Sequence, residues 1–241
     1  MFIRALGLNV FYQRQTGKRG PVLILHGWGC STKTTYCIFD YFARLGFDTV
    51  AIDFPGFGNS DAPPENFTVY DYAKVVEEVI AKSFSRPPSV IAHSFGGRVA
   101  LILASENKID KLIITGGAGM KPRRSLKYHL KVALYKLKKK VGLNTTKDGS
   151  PDYRALAPNM KKVFLSVVNT HLENTLCKIK NPVLLIWGEK DRETPLYMAR
   201  RMKRGIKDCD IVVLKGCSHF AFLENPKTFL LVSKTFLEGD V

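Results

Sequence analysis

Ser89-Val90-Ile91-Ala92-His93-Ser94-Phe95-Gly96-Gly97-Arg98 is the stretch on which the fold turns. Val90 to Ala92 is a short apolar run, the pattern of a buried strand. His93-Ser94-Phe95 is a turn. Gly96-Gly97 opens a helical pattern through Val99-Ala100-Leu101-Ile102-Leu103-Ala104. Strand, sharp turn with one serine, then helix is the setting in which G-x-S-x-G becomes a nucleophile elbow. Here Ala92 stands at the first glycine position, so the motif reads A-H-S-F-G. A methyl group still allows helix and strand to approach closely. The helix beginning after the serine aims unpaired N–H groups and its positive dipole end at a developing anion.

The surrounding chain repeats the alternation. Phe2 to Leu6 and Leu8 to Gln13 are two short strands around Gly7, an antiparallel start. Pro21 to Leu25 is a continuous apolar run, as expected of a strand covered on both faces. A helix follows through Phe39, Phe42 and Leu45, with Ser31 or Thr32 as its cap and Gly46 as its stop. Asp48 to Ile52 is a strand leading into the glycine-rich loop Asp53 to Ser60. Val69 to Phe84 has helical spacing, and Pro87-Pro88 ends it. Ile109 to Thr115, Val183 to Trp187 and Asp210 to Leu214 are further strands. Leu196 to Arg204 and Pro226 to Leu237 are helices. The expected architecture is an α/β fold: a mostly parallel sheet of about eight strands with helices on both faces. Ligands in such sheets bind at the carboxyl ends of the strands.

One segment breaks the alternation. Residues 118–176 form an expected helical insertion between two core segments, 1–117 and 177–241. Leu126, Leu130, Ala133, Leu134, Leu137 and Val141 fall on one arc of a helical wheel, and Met160 to Leu172 is a second helix. The whole chain of 241 residues carries a net charge of +16. Between Met120 and Lys162 there are thirteen Lys or Arg against two Asp, a net of +11, so most of the excess is local. A local basic surface suits an anionic substrate or a membrane face better than nucleic acid, for which no aromatic-interleaved strand face is present. Cap packing over a pocket is the first reading of the insertion, and contact with anionic lipid the second.

Five scattered cysteines fit free thiols in a reducing compartment, hence a cytoplasmic protein. The N-terminus has no signal-peptide pattern, and no run of about 18 apolar residues predicts a transmembrane helix. The oligomeric state is left open.

A serine hydroxyl needs a base within hydrogen-bond reach, and the base needs a carboxylate to fix its tautomer. Of five histidines, His26 and His93 are tied to turns, while His129 and His171 lie on the insertion. His219, in Lys215-Gly216-Cys217-Ser218-His219-Phe220, sits between the last strand and the last helix. It is the candidate base for Ser94. The acid should fall between serine and histidine in the chain. Asp191, in Trp187-Gly188-Glu189-Lys190-Asp191-Arg192-Glu193-Thr194-Pro195, is favoured, with Glu189 and Glu193 as rivals. The oxyanion-hole donors are expected to be the backbone N–H groups of Phe95 and of Trp28, whose indole would line the pocket.

With these stretches in place, the chain resembles the α/β-hydrolase superfamily. H-G-W-G at His26 to Gly29 is similar to its oxyanion loop, and D-F-P-G-F-G-N-S at Asp53 to Ser60 to its architectural loop. Ala92 to Gly97 matches the elbow, W-G-E-K-D-R-E-T-P the acid loop, and G-C-S-H-F followed by L-E-N-P the histidine loop. The resemblance covers the chain apart from the insertion, which stands where the family carries its cap. It implies Ser94, Asp191 and His219 as the catalytic set, a small acyl substrate and no metal or organic cofactor. The serine argues against dehalogenase and epoxide-hydrolase relatives, which use aspartate there. Carbon–carbon hydrolases of ring-cleavage products share the D-x-P-G-x loop, but many place Trp after the histidine, where this chain has Phe220. The resemblance does not choose among esterase, lipase, thioesterase and carbon–carbon hydrolase, and ester hydrolysis is the leading expectation. A carbon–carbon hydrolase and a non-catalytic binding protein of the same fold are the alternatives.

Overall fold

The computed structural model describes residues 1–123 and 156–239. Eight strands form one sheet: β1 (Phe2–Ala5), β2 (Leu8–Gln15), β3 (Arg19–Leu25), β4 (Phe47–Ile52), β5 (Ser89–His93), β6 (Leu112–Thr115), β7 (Val183–Gly188) and β8 (Cys209–Leu214). Their order is β1-β2-β4-β3-β5-β6-β7-β8. β2 runs antiparallel to both neighbours, and every pairing from β4 to β8 is parallel.

The apolar strand runs have a simple cause, since both faces of the sheet are covered. Leu23 and Leu25 of β3, Val90 and Ala92 of β5, and Leu185 and Trp187 of β7 face one core cluster. That cluster includes Tyr72 and Val76 of helix α2 (Val69–Ser83) and Val99 and Leu103 of α3 (Phe95–Ser105). Val22, Ile24, Ile91, Leu184 and Ile186 face the other cluster, with Ile38 and Phe42 of α1 (Tyr36–Arg44). Successive residues of one strand thus enter opposite cores, the period-two pattern of a pleated strand.

The remaining described helices are α4 (Pro158–Asn169), α5 (Tyr197–Gly205), the four-residue α6 (Ala221–Glu224) and α7 (Pro226–Glu238), with a 3₁₀ segment at Glu173–Lys178. Among the described residues no helix is long and apolar enough to cross a membrane.

Three boundaries differ from expectation by three residues or more. Helix α1 begins at Tyr36 after Thr35, not after Ser31 or Thr32. The Thr32 backbone N–H is instead bonded to Asp53 Oδ1, 2.6 Å away, so this segment braces the next loop. Strand β6 begins at Leu112 rather than Ile109, because the Asp110 N–H turns back to Pro88 O. Helix α4 ends at Asn169, short of Leu172. The guanidinium of Arg98 on α3 donates to the carbonyls of Thr170 and Val168, which closes the helix end. Arg98 is buried, and desolvation pushes its pKa down to about 10.

The expected basic helix, with Leu126 to Val141 and His129, lies outside the described residues. The described residues before the undescribed stretch, up to Arg123, are held by two backbone bonds. The Lys121 N–H donates to Glu173 Oε1, which joins the two ends of the 118–176 segment to each other, and the Arg123 N–H donates to the Tyr197 hydroxyl of α5.

Candidate active site

The elbow is built as its sequence requires. Ser94 follows β5 directly and precedes the first residue of α3. Its φ is +49° with ψ −109°, a conformation that costs a non-glycine residue about 1–3 kcal/mol. Three backbone bonds hold it there: Ser94 N–H to Thr115 O, Gly97 N–H to Ser94 O, and Ala118 N–H to Ser94 O. Gly96 makes the turn sterically feasible, because a Cβ there would lie 2.6 Å from Leu25 O. The result is a half-buried serine whose hydroxyl stands at the carboxyl edge of the sheet.

Loops from β7 and β8 bring the other two groups to it. His219 Nε2 is 3.0 Å from Ser94 Oγ, and His219 Nδ1 is 2.9 Å from Asp191 Oδ2. Both His219 and Asp191 are buried. Burial alone would raise the Asp191 carboxyl. Hydrogen bonds from His219 and the Thr194 backbone, the His219 ring and the Thr194 hydroxyl outweigh it, and the carboxyl is held below its ordinary range. Oδ1 accepts the N–H groups of Glu193 and Thr194, each at 2.9 Å, and Thr194 Oγ1 lies 2.9 Å from Oδ2. An ionised carboxylate against Nδ1 assigns the His219 proton to that nitrogen and leaves Nε2 as acceptor for the serine hydroxyl.

The two loops are joined along their backbones. The Lys190 N–H donates to Cys217 O, and that of Glu189 to Leu214 O. Gly188 allows the contact, since a Cβ there would lie 2.0 Å from Ser218 O. Trp187 is fully buried, and its indole N–H donates to Thr194 O at 2.7 Å, anchoring the far end of the acid loop.

All three acidic residues of that loop reach the histidine loop, each differently. Asp191 takes the Nδ1 side of His219. Glu189 Oε2 accepts the Gly216 N–H at 3.0 Å. Glu193 Oε2 lies 3.3 Å from His219 Nε2, with a largely exposed side chain. Glu189 and Glu193 stand in the sequence only as rivals for the place of Asp191, with no task of their own. Glu224 is a further residue missed at the level of sequence. Its carboxylate accepts the Ser218 N–H and hydroxyl, bracing the histidine loop from α6.

The other described histidines behave as their turns suggest. His26 Nδ1 lies 2.7 Å from Gly27 O, and Nε2 accepts the Phe54 N–H at 2.9 Å. Its burial pushes its pKa down to about 4. His93 packs against Phe220 and Phe222, and its Nε2 lies 3.2 Å from His219 O. Burial, with the neighbouring His219, pushes it down to about 3. His171 lies just past α4, half-buried. Asp53 is architectural: it takes the Thr32 N–H on one oxygen and the Asn59 N–H on the other.

Phe95 is the first residue of α3, where helix geometry leaves N–H groups without intrahelical partners. Its ring packs against Phe54, Tyr72 and Trp28. Trp28 also meets Phe57 and Phe164 of α4, so the loop after β3, the turn at Ser94 and helix α4 share one aromatic wall. Two surface cavities lie away from this wall. One, about 430 Å³, sits at the amino ends of the central strands beside Arg19, Arg86 and Lys111. The other, about 510 Å³, lies between β8 and α7. Neither is at the carboxyl edge, where sheets of this kind bind ligands.

Comparison with known proteins agrees with this architecture. A model of the alpha/beta hydrolase family matches residues 22–230. A pimeloyl-[acyl-carrier protein] methyl ester esterase of Neisseria meningitidis serogroup C is 26% identical over 249 residues, covering 90% of this chain and 93% of that one. A 2-hydroxy-6-oxononadienedioate/2-hydroxy-6-oxononatrienedioate hydrolase of Paraburkholderia phymatum is 25% identical over 264 residues, covering 95% and 91%. Among solved structures, an esterase from Exiguobacterium antarcticum superposes with a TM-score of 0.80 at 21% identity, covering 99% of each chain.

Proposed function

The chain belongs to the alpha/beta hydrolase family, and from that premise we propose that it is a serine hydrolase cleaving a carboxylic ester through an acyl-enzyme on Ser94. The observation that carries this reading is the 3.0 Å contact between His219 Nε2 and Ser94 Oγ, with Asp191 on the opposite ring nitrogen. In the first half-reaction Ser94 Oγ bonds to the acyl carbon as its proton passes to Nε2. The ester C–O bond then breaks, and Nε2 returns the proton to the departing alkoxide. In the second, water repeats the attack through the same base and releases the acid. Asp191 stabilises the imidazolium formed between the steps. The N–H groups of Phe95 and Trp28 hold the oxyanion. Residues 118–176 serve as the cap over this site. A small acyl compound is the substrate, and the five free cysteines favour the reducing cytoplasm.

A fluorophosphonate probe and a p-nitrophenyl ester test the reading together. Wild type is labelled and turns over the ester, whereas Ser94→Ala loses the label and about 10³-fold or more of the rate. Turnover without labelling of Ser94 would remove the assignment, and neither signal would favour a binding protein. The Paraburkholderia relative supports a second reading, carbon–carbon cleavage of a dicarboxylate. Turnover of such a dienedioate with none of the ester would select it.

A further inference from the structure

The ester-hydrolase reading gives Asp191 a task and leaves Glu193 without one. Yet Glu193 is the second carboxylate on the same imidazole. Its Oε2 lies 3.3 Å from His219 Nε2, the atom that also faces Ser94 Oγ at 3.0 Å. Its main chain is held by the acid itself, since its own N–H is bonded to Asp191 Oδ1. The acid therefore fixes the Cα from which the Glu193 side chain departs. Its side chain is 67% exposed, so it stands at the open side of the site rather than in the core. The Glu193 charge is also felt at Cys30, in the loop after β3. Burial chiefly raises the Cys30 thiol, and the Glu193 charge adds to it against hydrogen bonds from Thr34 and Gly27.

This location has a chemical meaning. In acyl transfer, Nε2 must hand its proton to the leaving oxygen, so that oxygen comes within hydrogen-bond reach of Nε2. A carboxylate touching the same nitrogen is then within about two hydrogen-bond lengths of the leaving group. A negative charge at that range repels an anionic leaving fragment and tolerates a neutral one. The His219 imidazolium is common to both kinds of leaving fragment, and the buried rings of His93, held at about 3, and His26, held at about 4, add no charge of their own.

We propose that Glu193 is a specificity-determining residue that biases the enzyme toward esters whose leaving alcohol is uncharged, and against those with a carboxylate on the leaving fragment. The proposal rests on the acyl-hydrolase reading above and concerns the leaving side alone. Through-space interaction of two charges a few ångströms apart at a wet site sets the expected size at about tenfold.

The test uses p-nitrophenyl butyrate and its ring-carboxylated analogue, which share an acyl group and differ by one charge on the leaving phenol. The readout is the ratio of kcat/KM for the two, which cancels any change common to both. Wild type favours the neutral ester. Glu193→Gln raises the anionic-to-neutral ratio about tenfold, Glu193→Lys raises it further, and Glu193→Asp retains most of the wild-type bias. Added salt narrows the wild-type gap and leaves that of Glu193→Gln nearly flat. A ratio unmoved by Glu193→Gln overturns the proposal, as does an equal gain on both esters, which would make Glu193 a plug rather than a charge filter. Fluorophosphonate labelling separates the two levels. Labelled Ser94 with an unmoved ratio removes only the role of Glu193. Absence of labelling, with neither ester cleaved, removes the hydrolase reading and this inference with it.

Discussion

Two histidine–aspartate sets stand at the carboxyl edge of the same sheet, His26 with Asp53 and His219 with Asp191, and they spend their hydrogen bonds differently. His26 gives both ring nitrogens to backbone, at Gly27 O and the Phe54 N–H. Asp53 likewise gives both oxygens to backbone N–H groups. His219 instead gives Nδ1 to a carboxylate and keeps Nε2 for a hydroxyl. Residue type is the same in both sets. One set closes on the main chain and holds loops, whereas the other leaves one nitrogen for chemistry.

The largest expected effect comes from breaking each set at its aspartate. Asp191→Asn replaces an acceptor of the Nδ1 proton with a group that can donate, which favours the wrong tautomer. The expected loss is about 10³–10⁴-fold in kcat, and the catalytic effect dominates. Asp53→Asn should do the reverse. One of its two N–H partners would face an amide NH₂, leaving a buried donor unmet at a cost of about 1–3 kcal/mol. Its kcat should stay within about tenfold of wild type. Urea unfolding and ester turnover on both variants check the pair. Equal catalytic losses would erase the distinction between the sets.

Acid should sharpen the same contrast through stability. His26 and His93 are held near 4 and near 3, against an ordinary value of 6.5. Below pH 6.5 the unfolded chain takes up these protons and the folded chain refuses them. Stability therefore falls with pH, from about 6.5 down to about 4 for His26 and about 3 for His93. The expected loss by pH 5 is on the order of 1–2 kcal/mol for each histidine. Asp191, held below the usual carboxylate range, adds its own loss only in stronger acid. Urea midpoints at pH 7.5, 6 and 5 read the slope. His93→Phe, which keeps a ring among Phe220 and Phe222, should flatten it. An unchanged slope would place the acid sensitivity elsewhere.

The strands and the serine–acid–histidine order were readable because both follow from short-range pattern. A strand buried on both faces must be apolar throughout, and residues just after such strands share one edge. Other features depend on where loops travel in space. The late start of α1 follows from Thr32 bracing Asp53, a contact across 21 positions. The early end of α4 follows from Arg98, across more than 70 positions. Arg98 did leave a trace, as one charged residue opening an apolar helix, which calls for a buried partner. Glu189 and Glu193 left none. Spacing marks three carboxylates in one loop and is silent on which atom each reaches.

The smallest expected effect comes from Glu189, and its size measures how the histidine loop is held. Glu189 lies on the surface and contributes one bond, to the Gly216 N–H. The same loop is also held by Lys190 N–H on Cys217 O and by Glu224 on Ser218. With those in place, Glu189→Ala should cost under about 1 kcal/mol of stability and lower kcat only a few-fold. Glu189→Gln keeps an acceptor oxygen and should be nearly silent. Combining Glu189→Ala with Glu224→Ala removes two of the three holds, so the kcat loss should exceed the product of the single losses. Strict multiplicativity in that double variant would mean that the two carboxylates steady separate parts of the loop, and that His219 is oriented by Asp191 alone.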